Sequence, residues 1–267
     1  MPRIIAVANQ KGGVAKTTTV ASIGVALSEL GQRVLLVDLD PQGCLSFSLG
    51  LDPDNLELSV YEVLLGKVSA GMAIQKTLDG PDILPANIDL AKGEAELLGR
   101  IGREHSLRLV LEELTEQYDF VLIDCPPSLS VLTINGLTAA SEVLIPLQCE
   151  ALSHRGVGQL LDTIREVRRL SNPSLEVLGV LPTMFDSRTI HSREVLADIS
   201  SRYQLAVLEP PVAKSVRFAE APTIGRSIMS SHASRIPGVQ AYRIHAANMA
   251  GIVLETDLTD DAVAAAR

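Results

Sequence analysis

Residues 10–19 combine two adjacent glycines with two lysines and three threonines, a set of residues that could bind phosphate groups. The adjacent Gly12 and Gly13 permit a tight turn in which successive backbone N–H groups point inward and form a cradle for an anion. A helical pattern begins directly afterwards, and a helix N-terminus adds unpaired N–H groups and a favourable dipole. Lys16 would then reach the terminal phosphates of a nucleotide, and the hydroxyl of Thr17 would bind Mg²⁺.

The alternative interpretation of this segment is a glycine-rich turn between a strand and a helix, with a solvated lysine. The order of the features argues against it, because an apolar strand pattern, two glycines, Lys-Thr and a helical pattern follow one another without a gap. We therefore expect a nucleotide to contact the loop and the start of the helix, through Gly12, Gly13, Val14, Ala15, Lys16, Thr17 and Thr18.

Two carboxylates follow the second apolar run, Val34–Val37. Asp38 and Asp40 are two residues apart, so their side chains share a face where the chain is extended. At the carboxyl end of a parallel strand they would face the ligand site. A purely local role, with Asp38 as a cap and Asp40 in an Asp-Pro turn, is the alternative. The neighbouring glycine loop favours the ligand site.

A third carboxylate, Asp124, ends the apolar run Phe120–Ile123, and two prolines follow it after Cys125. An acid at this position is typical of a residue that holds the water shell of Mg²⁺. Proline cannot continue a ladder of strand hydrogen bonds, so the backbone must leave the sheet here. We interpret Cys125 as a packing residue, because its neighbours do not activate a thiol. The role of Glu150, after a later strand, is left open.

These segments resemble the motifs of the ParA/MinD family of ATPases. The loop is similar to the family's deviant Walker A motif, KGGxxK[ST], although Gln10 and Ala15 stand where the standard motif GxxxxGK[ST] has glycines. The string DLDPQG from residue 38 resembles the family's switch I, and DCPPS from residue 124 resembles its switch II. The resemblance implies a P-loop fold, with ATP and Mg²⁺ as cofactors.

The resemblance also implies roles for single residues. The early lysine of the family, here Lys11, reaches the phosphates of the nucleotide in the opposite subunit, so that ATP joins a homodimer. Asp40 would position the attacking water, and Asp38 would support Lys16 and the metal. Lys11, Lys16 and Asp40 are therefore the expected catalytic residues. The implied surroundings of Mg²⁺ are Thr17, Asp40 and Asp124.

The string LPTMFDSRT from residue 181 resembles a family segment that lies close to adenine. The resemblance places Thr183 and Met184 beside the base, with Pro211 and Val212 as the opposite wall. The segment from Val212 to Pro222 resembles the family string IPRNVRLSEAP but differs from it at several positions. The effect of these differences on the base pocket is open. The replacements for proline, arginine and asparagine are Ala213, Lys214 and Ser215.

The family's contacts with DNA correspond by position to Arg188 and Arg217, and Lys214 would extend them. Contacts with phosphates need no aromatic side chains, which agrees with an aromatic content of 3%. Other basic residues would either enlarge this surface or belong to an ordinary solvated face. They are Arg193, Arg226 and Arg235.

The elements that must position these residues alternate between short β-branched runs and longer segments of helical period. The predicted strands are Ile4–Ala8, Val34–Val37, Asp82–Leu84, Phe120–Ile123, Val143–Pro146, Val177–Leu181 and Leu205–Leu208. The predicted helices are Thr17–Leu30, Leu90–Leu98, Leu107–Gln117, Val131–Ala139, Gly156–Leu170, Arg193–Tyr203 and Gly238–Met249. This alternation predicts an α/β fold, a mostly parallel twisted sheet with helices on both faces. We expect one ATPase domain over residues 1–251 and a flexible acidic tail over 252–267.

The chain has 267 residues and a formal net charge of −9, which by itself argues against a protein coated in positive charge for DNA. The distribution is uneven, with a net charge of −10 in residues 1–150, +4 in 151–250 and −3 in 251–267. DNA contacts are therefore expected in the middle segment. Three dispersed cysteines and five histidines show no metal spacing, and the cysteines indicate a reducing cytosol.

Within this family we expect a ParA/Soj-type protein. It would form an ATP-sandwich homodimer, bind double-stranded DNA non-specifically, and be reset by hydrolysis that a ParB-like partner stimulates. We expect a cytoplasmic, nucleoid-associated protein without membrane contact, because anionic lipid repels an acidic tail. The alternatives are a MinD-like membrane regulator, the same ATPase positioning another cargo, and a metabolic P-loop enzyme. The sequence leaves open the activating partner, the cargo, a chromosomal or plasmid role, and the hydrolysis rate.

Overall fold

The computed structural model describes residues 2–150, 153–186, 188–230 and 236–253. Within them, seven strands form one sheet in the order β3-β4-β2-β5-β1-β6-β7. The pairing of β3 with β4 is antiparallel, and all other neighbours are parallel. The strands are β1 (Arg3–Val7), β2 (Val34–Asp38), β3 (Gln75–Lys76), β4 (Asp82–Leu84), β5 (Phe120–Asp124), β6 (Glu142–Gln148) and β7 (Glu176–Thr183).

Helices connect the strands and cover both faces of the sheet. Short 3₁₀ turns lie at 53–55, 103–105, 221–224 and 228–230. The helices are α1 (Lys16–Glu29), α2 (Cys44–Ser48), α3 (Val60–Leu64), α4 (Ala70–Ala73), α5 (Leu90–Leu98), α6 (Ser106–Glu112), α7 (Val131–Ala139), α8 (Ser153–Leu170), α9 (Ile190–Tyr203), α10 (Arg217–Glu220) and α11 (Pro237–Ala250).

Two apolar layers enclose the sheet, and alternate residues of each central strand contribute to opposite layers. Ala6 of β1 lies in the layer beneath α5, α6, α7, α8 and α9, whereas Ile5 and Val7 lie in the layer beneath α1, α2 and α11. All five residues of β2 and of β5 are buried. Burial on both faces explains why these strands read as continuous apolar runs rather than as alternating patterns.

Helix α1, which leads out of the glycine loop, packs tightly against its neighbours. A Cβ atom at Gly24 would lie 2.6 Å from Leu36 Cδ2, so a glycine is needed for the close approach of α1 to β2. On its other side, the hydroxyl of Thr19 shares a hydrogen bond of 3.0 Å with the hydroxyl of Tyr242 on α11. These contacts hold the start of α1, and with it the loop, in place.

The predicted fold class is confirmed, and six of the predicted strands are present. The predicted strand Leu205–Leu208 is wrong, since only Val207 forms an isolated bridge, with Val180. Pro210 and Pro211 follow at once and lack the N–H groups that a longer ladder needs. Helix α6 ends before Gln117, because single turns lead the chain from Glu112 into β5.

One further expectation concerns the end of the chain. Residues 254–267 of the expected acidic tail lie outside the described residues. Among the described helices, none combines the length and the apolar character that a membrane span requires.

Replacement of Tyr242 tests the attachment of α11 to α1. The ring is 0% exposed and meets Phe218 edge-on, with ring centroids 5.8 Å apart. We expect Tyr242→Ala to lower the free energy of unfolding by about 3–5 kcal/mol. Tyr242→Phe should cost about 1 kcal/mol, because Thr19 loses a buried hydrogen bond. Urea denaturation followed by circular dichroism measures both, with the fully exposed Ile101→Ala as the control.

Candidate nucleotide-binding site

The parallel strands bring the predicted site residues together at one edge of the sheet. Val7 at the end of β1 and Asp38 at the end of β2 are both in register with Asp124 at the end of β5. The loops that follow these strands therefore start at the same level. The glycine loop, switch I and switch II lie side by side, as the motifs predict.

The glycine loop adopts the tight conformation expected of an anion cradle. Gly13 has φ +73°, and Ala15 has φ +65° immediately before the first residue of α1. A left-handed conformation is uncommon for alanine and costs energy that the surrounding structure must offset. The surrounding structure therefore holds the loop in its turn. Ala15 adopts the left-handed conformation at the position where the standard motif has a glycine.

Lys16 lies beneath the loop, with 7% of the residue exposed. Its ammonium donates a hydrogen bond to the Lys11 carbonyl at 3.2 Å. Burial lowers the pKa of Lys16, while the nearby carboxylate of Asp124 acts in the opposite direction. Phosphate oxygens at this position would replace the solvation that burial removes from the ammonium.

Asp124 and Thr17 form the part of the site that suits a divalent cation. The Thr17 hydroxyl donates to Asp124 Oδ2 at 2.7 Å, and Asp124 is 1% exposed. Its other oxygen, Oδ1, is buried and has no hydrogen-bond partner among the described residues. Burial raises the pKa of Asp124 well above its usual range. Hard oxygen ligands and an unsatisfied carboxylate oxygen fit Mg²⁺ and its water shell.

The two switch I carboxylates have different surroundings. Asp38 is fully buried, and its Oδ2 accepts hydrogen bonds from the Ser46 backbone at 3.0 Å and from the Ser46 hydroxyl at 2.8 Å. Burial raises the pKa of Asp38 to about 6. Asp40 is half-buried and accepts from the Gln42 backbone at 3.0 Å. Asp38 therefore shapes the turn, and the role of Asp40 in hydrolysis stays a prediction.

Cys125 follows the metal-site carboxylate and is 1% exposed. A Cβ atom at Gly136 of α7 would lie 2.9 Å from its Sγ, so the thiol packs closely against the helix that follows switch II. Burial raises the pKa of this thiol far above its usual range, which leaves it protonated and unreactive. This geometry agrees with its interpretation as a packing residue.

The residues expected beside adenine lie next to the loop, but two of them are committed to contacts within the protein. Thr183 is fully buried and its hydroxyl donates to the Val14 carbonyl at 3.0 Å. Val212 is 3% exposed and belongs to the core. Met184, which has φ +48°, and Pro211 are half-buried. Of the four, Met184 and Pro211 are the more accessible to a base, and their contact with adenine stays a prediction.

Asn9 is a site residue that the sequence interpretation missed. Its Oδ1 accepts from the Lys11 backbone N–H at 3.0 Å, and its Nδ2 donates to the Pro146 carbonyl at 2.7 Å. The Lys11 ammonium forms an ion pair with Glu150, beyond the end of β6. Asn side chains commonly accept a hydrogen bond from the backbone N–H two residues later, so the bond between Asn9 and Lys11 could have been predicted from the sequence.

Two of the expected DNA-contact residues lie on neighbouring segments, and the third, Arg217, begins α10. A backbone bridge between Phe185 and Ala213 places the segments that carry Arg188 and Lys214 side by side. The side chains of Arg188 and Arg217 are 87% and 68% exposed. Each is paired with an acid, Asp186 at 2.8 Å and Glu220 at 3.1 Å, respectively.

Charge in this region is therefore partly balanced within the subunit. Hydrogen bonds from Arg188 lower the pKa of Asp186 to about 2, with a smaller contribution from the charge of Lys214. Arg226 pairs with the nearly buried Asp79 at 3.0 Å, which indicates a structural role rather than an extension of the surface. Arg235 lies outside the described residues.

His245 is a buried histidine that bonds to the backbone. His245 is 4% exposed and its ring contacts the Pro210 carbonyl at 2.8 Å, and burial lowers its pKa. No cluster of three or more metal-binding His, Cys, Asp or Glu residues occurs in the described part of the chain. His232 lies outside that part.

Comparisons with known proteins place the chain in a family. A family model described as an AAA domain matches residues 2–177. The sporulation initiation inhibitor protein Soj of Bacillus subtilis is 42% identical over 243 residues, which cover 91% of this chain and 96% of Soj. The chromosome partitioning protein ParA of Caulobacter vibrioides is 43% identical, covering 90% of this chain and 91% of ParA.

A solved structure shares the fold at higher identity. The cobyrinic acid a,c-diamide synthase of Mycobacterium smegmatis, solved with an ATP analogue and magnesium, is 56% identical with a TM-score of 0.84. The match covers 94% of this chain and 95% of that one. By its motifs, its fold and these similarities, the chain belongs to the ParA/Soj family of chromosome-partitioning ATPases.

Proposed function

We propose that this protein is a DNA-partitioning ATPase that forms a homodimer around two molecules of ATP and Mg²⁺. In this state it binds double-stranded DNA without sequence preference, and hydrolysis, stimulated by a ParB-like partner, separates the dimer. The observation that carries the proposal is the unequal exposure of the two loop lysines. Lys16 is 7% exposed, whereas 34% of the Lys11 side chain is exposed. A buried lysine serves the nucleotide of its own subunit, and an exposed one is available to the nucleotide of a second subunit.

Chemistry at the site follows from the residues around Asp124. Thr17 and Asp124 would hold Mg²⁺, with Asp40 completing its surroundings, and the bound ion would neutralise charge on the β- and γ-phosphates. Lys16 would contribute a charge-assisted hydrogen bond to the same oxygens. Asp40, half-buried at the start of the switch I turn, would orient the attacking water.

The DNA surface supports a requirement for the dimer. Arg188 and Arg217 each have an acidic partner, so one subunit presents little net positive charge. Contacts with phosphates add their free energies when two copies of the surface are joined, so the dimer binds much more tightly than the monomer. ATP-dependent dimerisation would then control DNA binding.

A synthase activity is the second candidate, because the 56% identical structure carries that name. A synthase that takes nitrogen from glutamine needs a reactive thiolate. Burial raises the pKa of Cys149 to about 11 and that of Cys125 further, and it also raises the pKa of Cys44. All three cysteines of the chain are therefore poorly suited to this step. We favour partitioning.

Retention on DNA tests the proposal when it is measured with ATP, with ADP and without nucleotide. We expect retention with ATP alone, because only ATP joins the two surfaces. Arg217→Glu should weaken retention and reduce the slope of log affinity against log salt by about one for each arginine that no longer meets a phosphate. Arg108→Glu is the matched control, since Arg108 is also exposed and paired with a glutamate within its helix.

The other outcomes identify the alternatives. Equal retention in all three conditions would contradict ATP control, and an unchanged Arg217→Glu variant would remove this residue from the surface. Binding to anionic vesicles instead of DNA would indicate a membrane regulator. Conversion of cobyrinic acid with ATP and glutamine, followed by mass spectrometry, would indicate the synthase.

Removal of the buried lysine tests the phosphate cradle. We expect Lys16→Ala to weaken ATP binding by roughly a hundredfold, because a charge-assisted hydrogen bond contributes about 3 kcal/mol. Titration calorimetry measures the affinity, with Lys92→Ala on the exposed face of α5 as the control. An unchanged affinity would contradict the role of the loop in phosphate binding.

Removal of the switch I acid separates hydrolysis from binding. We expect Asp40→Ala to bind ATP with near wild-type affinity and to hydrolyse it roughly 10²–10⁴-fold more slowly, because the attacking water is no longer oriented. The variant should remain a dimer in light scattering when ATP and Mg²⁺ are present. A monomer under these conditions would show that Asp40 has another role. Asp162→Ala, at an exposed ion pair of α8, is the control.

A further inference from the structure

The ion pair between Lys11 and Glu150 joins two ends of the site within a single subunit. Lys11 begins the glycine loop after β1, and Glu150 follows the end of β6. The side chains are 34% and 51% exposed, so the pair lies at the surface of the site and not within the core. In this conformation the Lys11 ammonium is held by its own subunit.

The backbone beneath this pair is anchored independently of it. Asn9 is 4% exposed and bridges the Lys11 N–H to the Pro146 carbonyl of β6 at 3.0 and 2.7 Å. The Lys11 carbonyl in turn accepts from the Lys16 ammonium at 3.2 Å. The backbone of Lys11 is thus fixed on both sides, and its side chain can change partner by rotation about its own bonds.

We propose that Glu150 is a positioning residue that holds Lys11 in the single subunit and releases it to the partner's nucleotide on dimerisation. The inference rests on the proposed function, in which Lys11 acts across the interface. A γ-phosphate carries more charge than a carboxylate and binds the ammonium more strongly, so ATP can displace Glu150. ADP lacks that phosphate, and Lys11 then stays with Glu150. Release of Lys11 from Glu150 therefore depends on the γ-phosphate.

The expected effect follows from the exposure of the pair. Breaking an ion pair of this exposure weakens dimerisation by a factor of about 1.4 to 5 in the equilibrium constant. Each dimer breaks two such pairs, and the factors multiply. Glu150→Gln removes the charge with little change of shape, so the dissociation constant of the dimer should fall roughly twofold to twenty-fivefold.

The experiment compares dimer formation by light scattering, in wild type and Glu150→Gln, with a non-hydrolysable ATP analogue and Mg²⁺. We expect tighter dimers for Glu150→Gln, wild-type behaviour for the charge-conserving Glu150→Asp, and a difference that shrinks as salt rises. Glu112→Gln is the matched control, since it removes an exposed glutamate paired with Arg108, away from the site. Unchanged or weaker dimers for Glu150→Gln would overturn the proposal.

Two further measurements separate this proposal from other effects of charge. Lysine methylation read by mass spectrometry in the nucleotide-free monomer should be faster at Lys11 in Glu150→Gln, and an unchanged rate contradicts the ion pair. Nucleotide affinity of the dilute monomer should change less than dimerisation, and an equal change would mean that Glu150 acts on the nucleotide directly. A wild-type chain that remains monomeric with ATP contradicts the proposed function itself, and the proposal with it.

Discussion

The alignment of parallel strand ends is the constraint on which the rest of the site depends. Because Val7 and Asp38 are both in register with Asp124, three loops begin at one level and two carboxylates are buried at this edge of the sheet. Burial raises the pKa of both acids and lowers that of the lysine. Buried charges without full compensation are costly, so phosphate and Mg²⁺ complete an arrangement that the polypeptide alone leaves incomplete.

This local balance also resolves the apparent conflict between a net charge of −9 and polyanionic ligands. Attraction of a nucleotide depends on the N–H groups of the loop and on Lys16 close to it, and bulk charge has little influence there because salt screens it. For DNA the relevant quantity is the charge of a small surface. In the proposed function Arg188, Lys214 and Arg217 supply it, and because Asp186 and Glu220 pair with the two arginines, a single subunit should bind DNA weakly.

Much of the fold could be predicted because its strands are buried on both faces and therefore read as continuous apolar runs. Short elements such as α2, α3 and β3 were missed, since five or fewer residues show no period. The site could be predicted where a motif fixes spacing within one segment, as in the glycine loop, but not where distant segments meet. The hydrogen bond between Thr183 and Val14 spans 169 residues. The ion pair of Lys11 with Glu150 spans 139 residues, and only the pairing of β1 with β6 brings its ends together.

Overall similarity does not choose among the activities that use this loop, because the chain is 42% identical to a partitioning relative and 56% identical to a structure named as a synthase. A fold supports several functions, and the residues around the shared cradle decide between them. Here those residues are a partly exposed lysine at the edge of the loop, thiols with raised pKa values, and two exposed arginines. An exposed lysine at the edge of the loop can reach a second charged surface that approaches it, whereas a synthase that takes nitrogen from glutamine needs a reactive thiol. The distribution of charge and burial around the cradle, rather than the cradle itself, therefore favours a nucleotide-dependent dimer that binds DNA.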